Sequence, residues 1–222
     1  EQRLLFIGRD VSSLYTRRTI GEFRRIALYI QQVLRAKKGN YLIFFPSYRF
    51  MEDVYEQFLA VNGQEADCIM QSGNMNEAER EEFMQEFVES REKSLAAFCV
   101  LGGIFSEGID LIGNRLIGAA VIGTGLPQVS CEREILKEYY DAKGEQGFDY
   151  AYRYPGMNKV LQAAGRVIRT RKDRGTILLM DERFTGRDYR MLFPREWNDA
   201  AVCILENVEQ QLGAFWKREE KK

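Results

Sequence analysis

Histidine is absent from this 222-residue sequence, and none of its four cysteines sits in a CxxC pair. The first absence removes Ser-His-Asp and Cys-His catalysis. The two together remove a zinc site of the usual ligand spacing. Cys68, Cys99, Cys131 and Cys203 are dispersed, and Cys68 and Cys99 lie in apolar runs. They read as buried thiols in a reducing compartment, not as a disulfide framework. No apolar run reaches the ~18 residues that a membrane-spanning helix needs. Glu1-Gln2-Arg3 does not open a signal peptide and does not begin with Met, so the sequence reads as a piece of a longer or processed chain. Charge of one sign is lacking too: 32 Lys and Arg stand against 33 Asp and Glu, a formal net charge of −1. The global basic signature of many nucleic-acid binders is therefore missing, and any such contact must come from local patches and backbone amides. A G-x-x-x-x-G-K-[ST] phosphate loop, an internal repeat and a low-complexity linker are also wanting.

What is there is an ordinary globular composition, 45% hydrophobic and 29% charged, in a length that suits one domain with a full core. Short β-rich runs alternate with helical patterns. The strand candidates are Leu4–Ile7, Tyr41–Phe45, Cys68–Met70, Ala97–Leu101, Ala119–Ile122 and Thr176–Met180. Most are continuous apolar runs, as in strands covered on both faces of a parallel sheet. Between them, Phe23, Ile26, Ile30 and Leu34 fall on one helical face, with Gly39-Asn40 as its stop. Further stripes are Phe50, Met51, Val54, Phe58 and Leu59, then Phe83, Met84, Phe87 and Val88 behind an Asn76/Glu79 capping box. Trp197, Ala201, Ile204, Leu205, Val208 and Leu212 mark a C-terminal helix. The order predicts a doubly wound α/β domain over residues 1–216, with a charged tail at 217–222. Residues 128–155, charged and rich in tyrosine, read as a helical insertion within it. Ligands of such sheets sit at the carboxyl ends of the strands, so the chemistry is sought there.

Three segments carry it. In Gln162-Ala163-Ala164-Gly165-Arg166-Val167-Ile168-Arg169, a helical projection gathers Val160, Leu161, Ala164, Val167 and Ile168 on one side and Gln162, Arg166 and Arg169 on the other. The plain alternative is a solvated basic face. Gly165 argues against it, because a mid-helix glycine costs ~1 kcal/mol relative to Ala and is explained by a close approach to the backbone. Two arginines opposite such an approach suit a phosphate. The second segment, Leu101-Gly102-Gly103-Ile104-Phe105-Ser106-Glu107-Gly108-Ile109-Asp110, runs a buried strand into a loop whose glycines expose N–H groups to an anion, or simply make a tight turn. In the third, Tyr41 to Ser47 followed by Tyr48-Arg49, Ser47 is a natural N-cap and the helix start a favourable anion site.

The first segment resembles motif VI of superfamily 2 helicases, QxxGRxxR. The second resembles motif V, the third motif IV, and Gln71-Ser72-Gly73 the turn that comes after motif IV. Arg171 to Gly175 and Met180-Asp181-Glu182-Arg183-Phe184, with Tyr189, Pro194 and Trp197, are similar to the XPD/DinG branch in particular. Gly125-Leu126-Pro127 resembles that branch's Leu-Pro turn, although Gln128-Val129-Ser130 stands where the family often has Phe and further prolines. The resemblance runs from about Tyr15 to Trp197, in family order.

The resemblance implies a RecA-like fold and the second of two motor domains, with ATP and Mg²⁺ held mainly by the first. Arg166 and Arg169 would be arginine fingers, with Gln162 assisting. Glu107, Gly108, Asp110 and Gly165 would face the nucleotide. Ser47, Tyr48, Ser72, Gly73 and Ser106 would face the backbone of single-stranded DNA. No metal ligands are expected here, and an iron–sulfur cluster, if the parent has one, belongs to its first half. Asp181-Glu182 falls after motif VI, where the family has a structural turn, and is not read as a magnesium box. The partners implied are the first motor domain and single-stranded DNA, with no membrane, for a monomer in the cytoplasm or on the nucleoid. Two other readings stay open: a motor-less nucleic-acid-binding adaptor, and an unrelated doubly wound enzyme that binds its own nucleotide. RNA as the track is a variant of the first.

Overall fold

Each inner strand reads as an unbroken apolar run because neighbouring residues face opposite ways and both ways lead into core. In Asn40–Phe45, Tyr41, Ile43 and Phe45 belong to one buried cluster and Leu42 and Phe44 to the other. The computed structural model describes residues 2–105, 111, 113–168 and 173–217. Its strands are β1 (Arg3–Gly8), β2 (Asn40–Phe45), β3 (Ala66–Met70), β4 (Ser94–Val100), β5 (Gly118–Ile122), β6 (Gly175–Met180) and β7 (Ala201–Cys203). Its helices are α1 (Ile20–Ala36), α2 (Tyr48–Asn62), α3 (Glu77–Gln85), α4 (Cys131–Ala142), α5 (Tyr154–Ala164), α6 (Arg187–Arg190) and α7 (Leu205–Lys217). The strands form one seven-stranded sheet in the order β3-β4-β2-β5-β6-β1-β7, and every neighbouring pair is parallel.

The two faces are covered by different helices. Ile26 and Ile30 of α1, Val54 and Phe58 of α2, and Val208 and Leu212 of α7 pack on one face. Phe83 of α3, Met157 and Val160 of α5, and Phe184 and Trp197 from short 3-10 turns pack on the other. Each fully buried side chain of this size contributes ~1.5–3 kcal/mol relative to exposure. The Asp10 carboxylate, just past β1, ties three elements together. It accepts hydrogen bonds from the Tyr29 hydroxyl of α1, from Arg25 at 2.8 Å and from the Leu205 backbone N–H at 3.3 Å. Burial pushes the neighbouring Cys203 thiol up to about 12 and raises the Tyr29 hydroxyl well beyond its usual range.

All the expected strands form, and Asn76 and Glu79 make their capping box. Five details differ. Leu59 of α2 is exposed, off the buried stripe of that helix. Ala201–Cys203 is a strand paired with β1, so the C-terminal helix starts at Leu205, and Trp197 sits in a separate 3-10 turn on the other face. Helix α3 ends at Gln85, leaving Phe87 buried and Val88 exposed beyond it. The stop of α1 is Lys37, in extended backbone, and Asn40 already belongs to β2. Gly165 is not mid-helix: α5 ends at Ala164 and Gly165 caps it at φ −65°, ψ −5°. Residues 128–155, expected as an insertion, hold α4 and a π-helical turn, Asp149–Arg153, that runs directly into α5. Residues 218–222 of the charged tail lie outside the described residues.

Candidate functional site at two ends of the sheet

The fold divides the described candidate residues between opposite ends of the strands. Ser47, Tyr48, Ser72 and Gly73 come after β2 and β3 at the carboxyl ends. Ser47 caps α2, its hydroxyl oxygen accepting from the Phe50 N–H at 3.3 Å. Behind this turn lies Gln71, which is buried. Its Nε2 donates to the Tyr48 hydroxyl at 2.9 Å, and its Oε1 accepts from the Val100 N–H at the end of β4 at 3.0 Å. The Tyr48 hydroxyl in turn donates to the Ser72 carbonyl at 3.4 Å. A β-carbon on Gly103 would stand 3.1 Å from Gln71 Nε2. One buried amide thus holds the turns after β2, β3 and β4 together and leaves Ser72 and Gly73 exposed above it. The sequence shows Gln71 only as a neighbour of Ser72, and a buried amide with all these partners is legible only in three dimensions.

The glycine loop after β4 starts with Gly102 at φ +76°, where a β-carbon would press on Lys159 of α5 at 3.1 Å. Phe105 then stacks on Phe83, with ring centroids 4.1 Å apart. Ser106, Glu107, Gly108 and Asp110 lie outside the described residues, as does Arg169.

The remaining candidates are at the other end of α5. The helix begins against the loop after β5: a β-carbon on Gly156 would meet the Thr124 carbonyl oxygen at 2.7 Å, and one on Gly125, at φ +68°, the Gly156 carbonyl oxygen at 2.5 Å. Its far end lies at the amino end of β6, where a β-carbon on Gly175 would collide with Val167 at 2.3 Å. Val160, Ala163, Ala164 and Val167 are buried, Gln162 and Gly165 exposed, and Arg166 half-buried. Leu161 and Ile168 of the expected apolar side are only half-buried, Ala163 is buried beside them, and the regular helix stops before Arg166. The glycine's explanation changes with it: a β-carbon at Gly165 would stand 3.0 Å from the Leu161 carbonyl oxygen, so the helix's own last turn already favours a small residue. A cleft of about 610 Å³ opens beside this end, lined by residues including Gln2, Arg3, Ala164, Gly165, Ile168 and Trp197. Asp181-Glu182-Arg183-Phe184 forms a 3-10 turn capped by the Asp181 carboxylate, which accepts from Arg183 Nε at 2.8 Å and from the Ser13 N–H at 2.9 Å. That is a structural turn, as expected from the sequence.

The family described as Helicase C-terminal domain matches residues 30–200. The chain is 26% identical over 183 residues to the ATP-dependent DNA helicase XPD of Sulfolobus acidocaldarius, covering 81% of this chain and 31% of that protein. It is 27% identical to the ATP-dependent DNA helicase YoaA of Escherichia coli, covering 78% of this chain and 26% of that one. Against an XPD helicase structure it superposes with a TM-score of 0.74 at 23% identity, covering 91% of this chain and 35% of the other. Dbp5 of S. cerevisiae bound to RNA and ADP BeF3 gives 0.53 at 12% identity, with 96% and 45% covered, so the fold alone does not choose between DNA and RNA. The chain spans less than a third of the two curated helicases it is compared with. The family match over residues 30–200 and the parallel sheet together show that the chain belongs to the Helicase C-terminal domain family, as the C-terminal RecA-like domain of the XPD/DinG type.

Proposed function

We propose that this chain is the second motor half of an ATP-dependent DNA helicase and completes a nucleotide site that it does not hold alone. The observation that carries the reading is the end of α5. Gln162, Gly165 and Arg166 stand on the open side of a segment whose other side is buried, and the chain has no phosphate loop of its own. The first motor domain would hold ATP and Mg²⁺. Arg166 and Arg169 approach from across the cleft as arginine fingers, with Gln162 beside them, and stabilise the charge that develops on the transferring phosphoryl group. Glu107, Gly108 and Asp110 complete the nucleotide side. At the carboxyl edge, Ser47, Tyr48, Ser72, Gly73 and Ser106 grip the phosphodiester backbone of single-stranded DNA without reading bases. Closing and reopening of the cleft move the domain along the strand. DNA is favoured over RNA because the XPD and YoaA relatives are named DNA helicases. Any iron–sulfur cluster lies in the other half. Among the described residues no helix is long and apolar enough to cross a membrane, which fits work in the cytoplasm or on the nucleoid, as a monomer.

The test is DNA-stimulated ATP hydrolysis by the longer polypeptide that adds the first motor domain. Arg166→Ala and Arg169→Ala are compared with the unsubstituted protein. A fall on the order of 10³-fold or more in turnover for either, with nucleotide binding retained, is the expected result. Unchanged turnover in both sinks the finger assignment.

A further inference from the structure

The carboxyl edge also carries the loop between β1 and α1, which none of the motifs covers. This loop is fixed at both ends. The Ser13 N–H and hydroxyl both donate to the buried Asp181 carboxylate at 2.9 Å, and Arg183 Nη2 donates to the Ser13 hydroxyl oxygen at 2.8 Å. Tyr15–Arg17 makes one 3-10 turn, Arg17 pairs with Glu22 at 3.2 Å, and Thr19 caps α1. On this anchored loop Tyr15 stands 84% exposed, with Ile20 exposed nearby in the chain. Single exposed apolar residues are common and need no explanation. Tyr15 differs in what lies beneath it. The Arg18 guanidinium sits 5.4 Å from the Tyr15 ring and 5.2 Å from the ring of Phe50, while its Nε donates to the Ser13 carbonyl at 3.4 Å. Phe50 is the residue whose N–H is capped by Ser47. One cation therefore links an outward-facing aromatic ring to the turn proposed to hold a phosphate.

A rigid aromatic ring with an arginine against it, next to a phosphate-binding turn, is what a sequence-tolerant stacking platform for single strands requires. Its place in the fold agrees. The sheet order puts the turns after β3, β2 and β1 in that sequence along the carboxyl edge. A strand laid along that edge would pass Ser72 and Ser47 before it reached Tyr15. We propose that Tyr15, backed by Arg18, stacks on a base of single-stranded DNA beyond the Ser47 turn. The inference rests on the proposed function, in which the carboxyl edge grips DNA.

The experiment titrates this chain, at low ionic strength, into fluorescein-labelled oligo(dT) and into an oligonucleotide carrying 2-aminopurine, whose fluorescence falls on stacking. Tyr15→Ala, Tyr15→Phe and Ser47→Ala are compared with the unsubstituted chain. Tyr15→Ala is expected to weaken binding by about ten-fold, within the range seen for single stacking residues. It should also abolish 2-aminopurine quenching and leave the slope of affinity against salt unchanged, because no phosphate contact is removed. Tyr15→Phe keeps the ring and should bind like the unsubstituted chain. If that chain binds in a salt-dependent way and Tyr15→Ala matches it in affinity and quenching, the stacking role is overturned while the DNA grip stands. Tyr15→Phe as weak as Tyr15→Ala overturns stacking in favour of a hydroxyl contact. If the unsubstituted chain does not bind either oligonucleotide, the grip itself is wrong and the inference falls with it.

Discussion

Asp181 has no solvent contact, and its carboxylate accepts hydrogen bonds from the Ser13 N–H and hydroxyl and from the Arg183 backbone and guanidinium. Removing the acid would leave the buried Ser13 N–H and hydroxyl without their acceptor and the part-buried Arg183 guanidinium with the Ser13 hydroxyl oxygen in place of a carboxylate. Asp181→Ala is therefore expected to cost about 3–5 kcal/mol. It should lower the urea midpoint without changing the denaturant slope, the signature of lost stability rather than altered compactness. A midpoint equal to that of the unsubstituted chain would remove Asp181 from its anchoring role. The turn at 181–184 is legible in the sequence. Its partner Ser13 is not, because the two residues lie 168 positions apart and nothing in Val11-Ser12-Ser13 shows a period or spacing that names a partner. Ser47 is easier: a hydroxyl immediately before an amphipathic stripe announces a cap, and the cap is there.

Helix α5 is built around a close approach at its first turn. With Gly125 at φ +68° facing Gly156, neither position has space for a β-carbon. Gly156→Ala would drive the helix off the loop after β5, and overpacking of this kind costs typically 1–3 kcal/mol, so a lower melting temperature by about that equivalent is expected. A melting temperature unchanged within error would mean that the loop yields freely. At this scale the sequence is readable wherever an element is long and its burial one-sided or complete. The strands β1, β2, β4, β5 and β6 and the stripe of α1 are such cases. It is unreadable where length runs out. Strand β7 has only three residues, Ala-Val-Cys, and its pairing with Phe6 to Gly8 is a long-range fact. Seen along the chain, those residues merge with the apolar stripe of α7. The end of α5 is hidden for a related reason: the outward side of the segment stays polar through Arg166 whether or not the backbone continues to coil.

Across the molecule, the described candidate residues occupy two ends of one sheet. Under the proposed function the chain by itself grips nucleic acid weakly and holds no nucleotide. ATP with Mg²⁺ is accordingly expected to leave the melting temperature of this chain unmoved. A ligand at about 100 times its Kd would contribute roughly 2.7 kcal/mol and be plainly visible. A clear upward shift would favour a self-contained nucleotide-binding enzyme over a half-site. From the sequence, all of the chemistry is expected at the carboxyl ends of the strands. The topology places the Gln162–Arg166 stretch at the amino end of β6 because α5 must return the chain from the end of one parallel strand to the start of the next. Its 11 residues cover about 16 Å at the usual rise per residue. That return is also a rod without slack. Its first turn is wedged against Thr124 and Gly125, and the stretch just past its last turn is wedged against Gly175. A helix held this way has little room to bend or slide, so it behaves as a push-rod. Under the proposed function, the stroke delivered to the DNA is geared to the nucleotide by the length of one helix, not by the compliance of a loop.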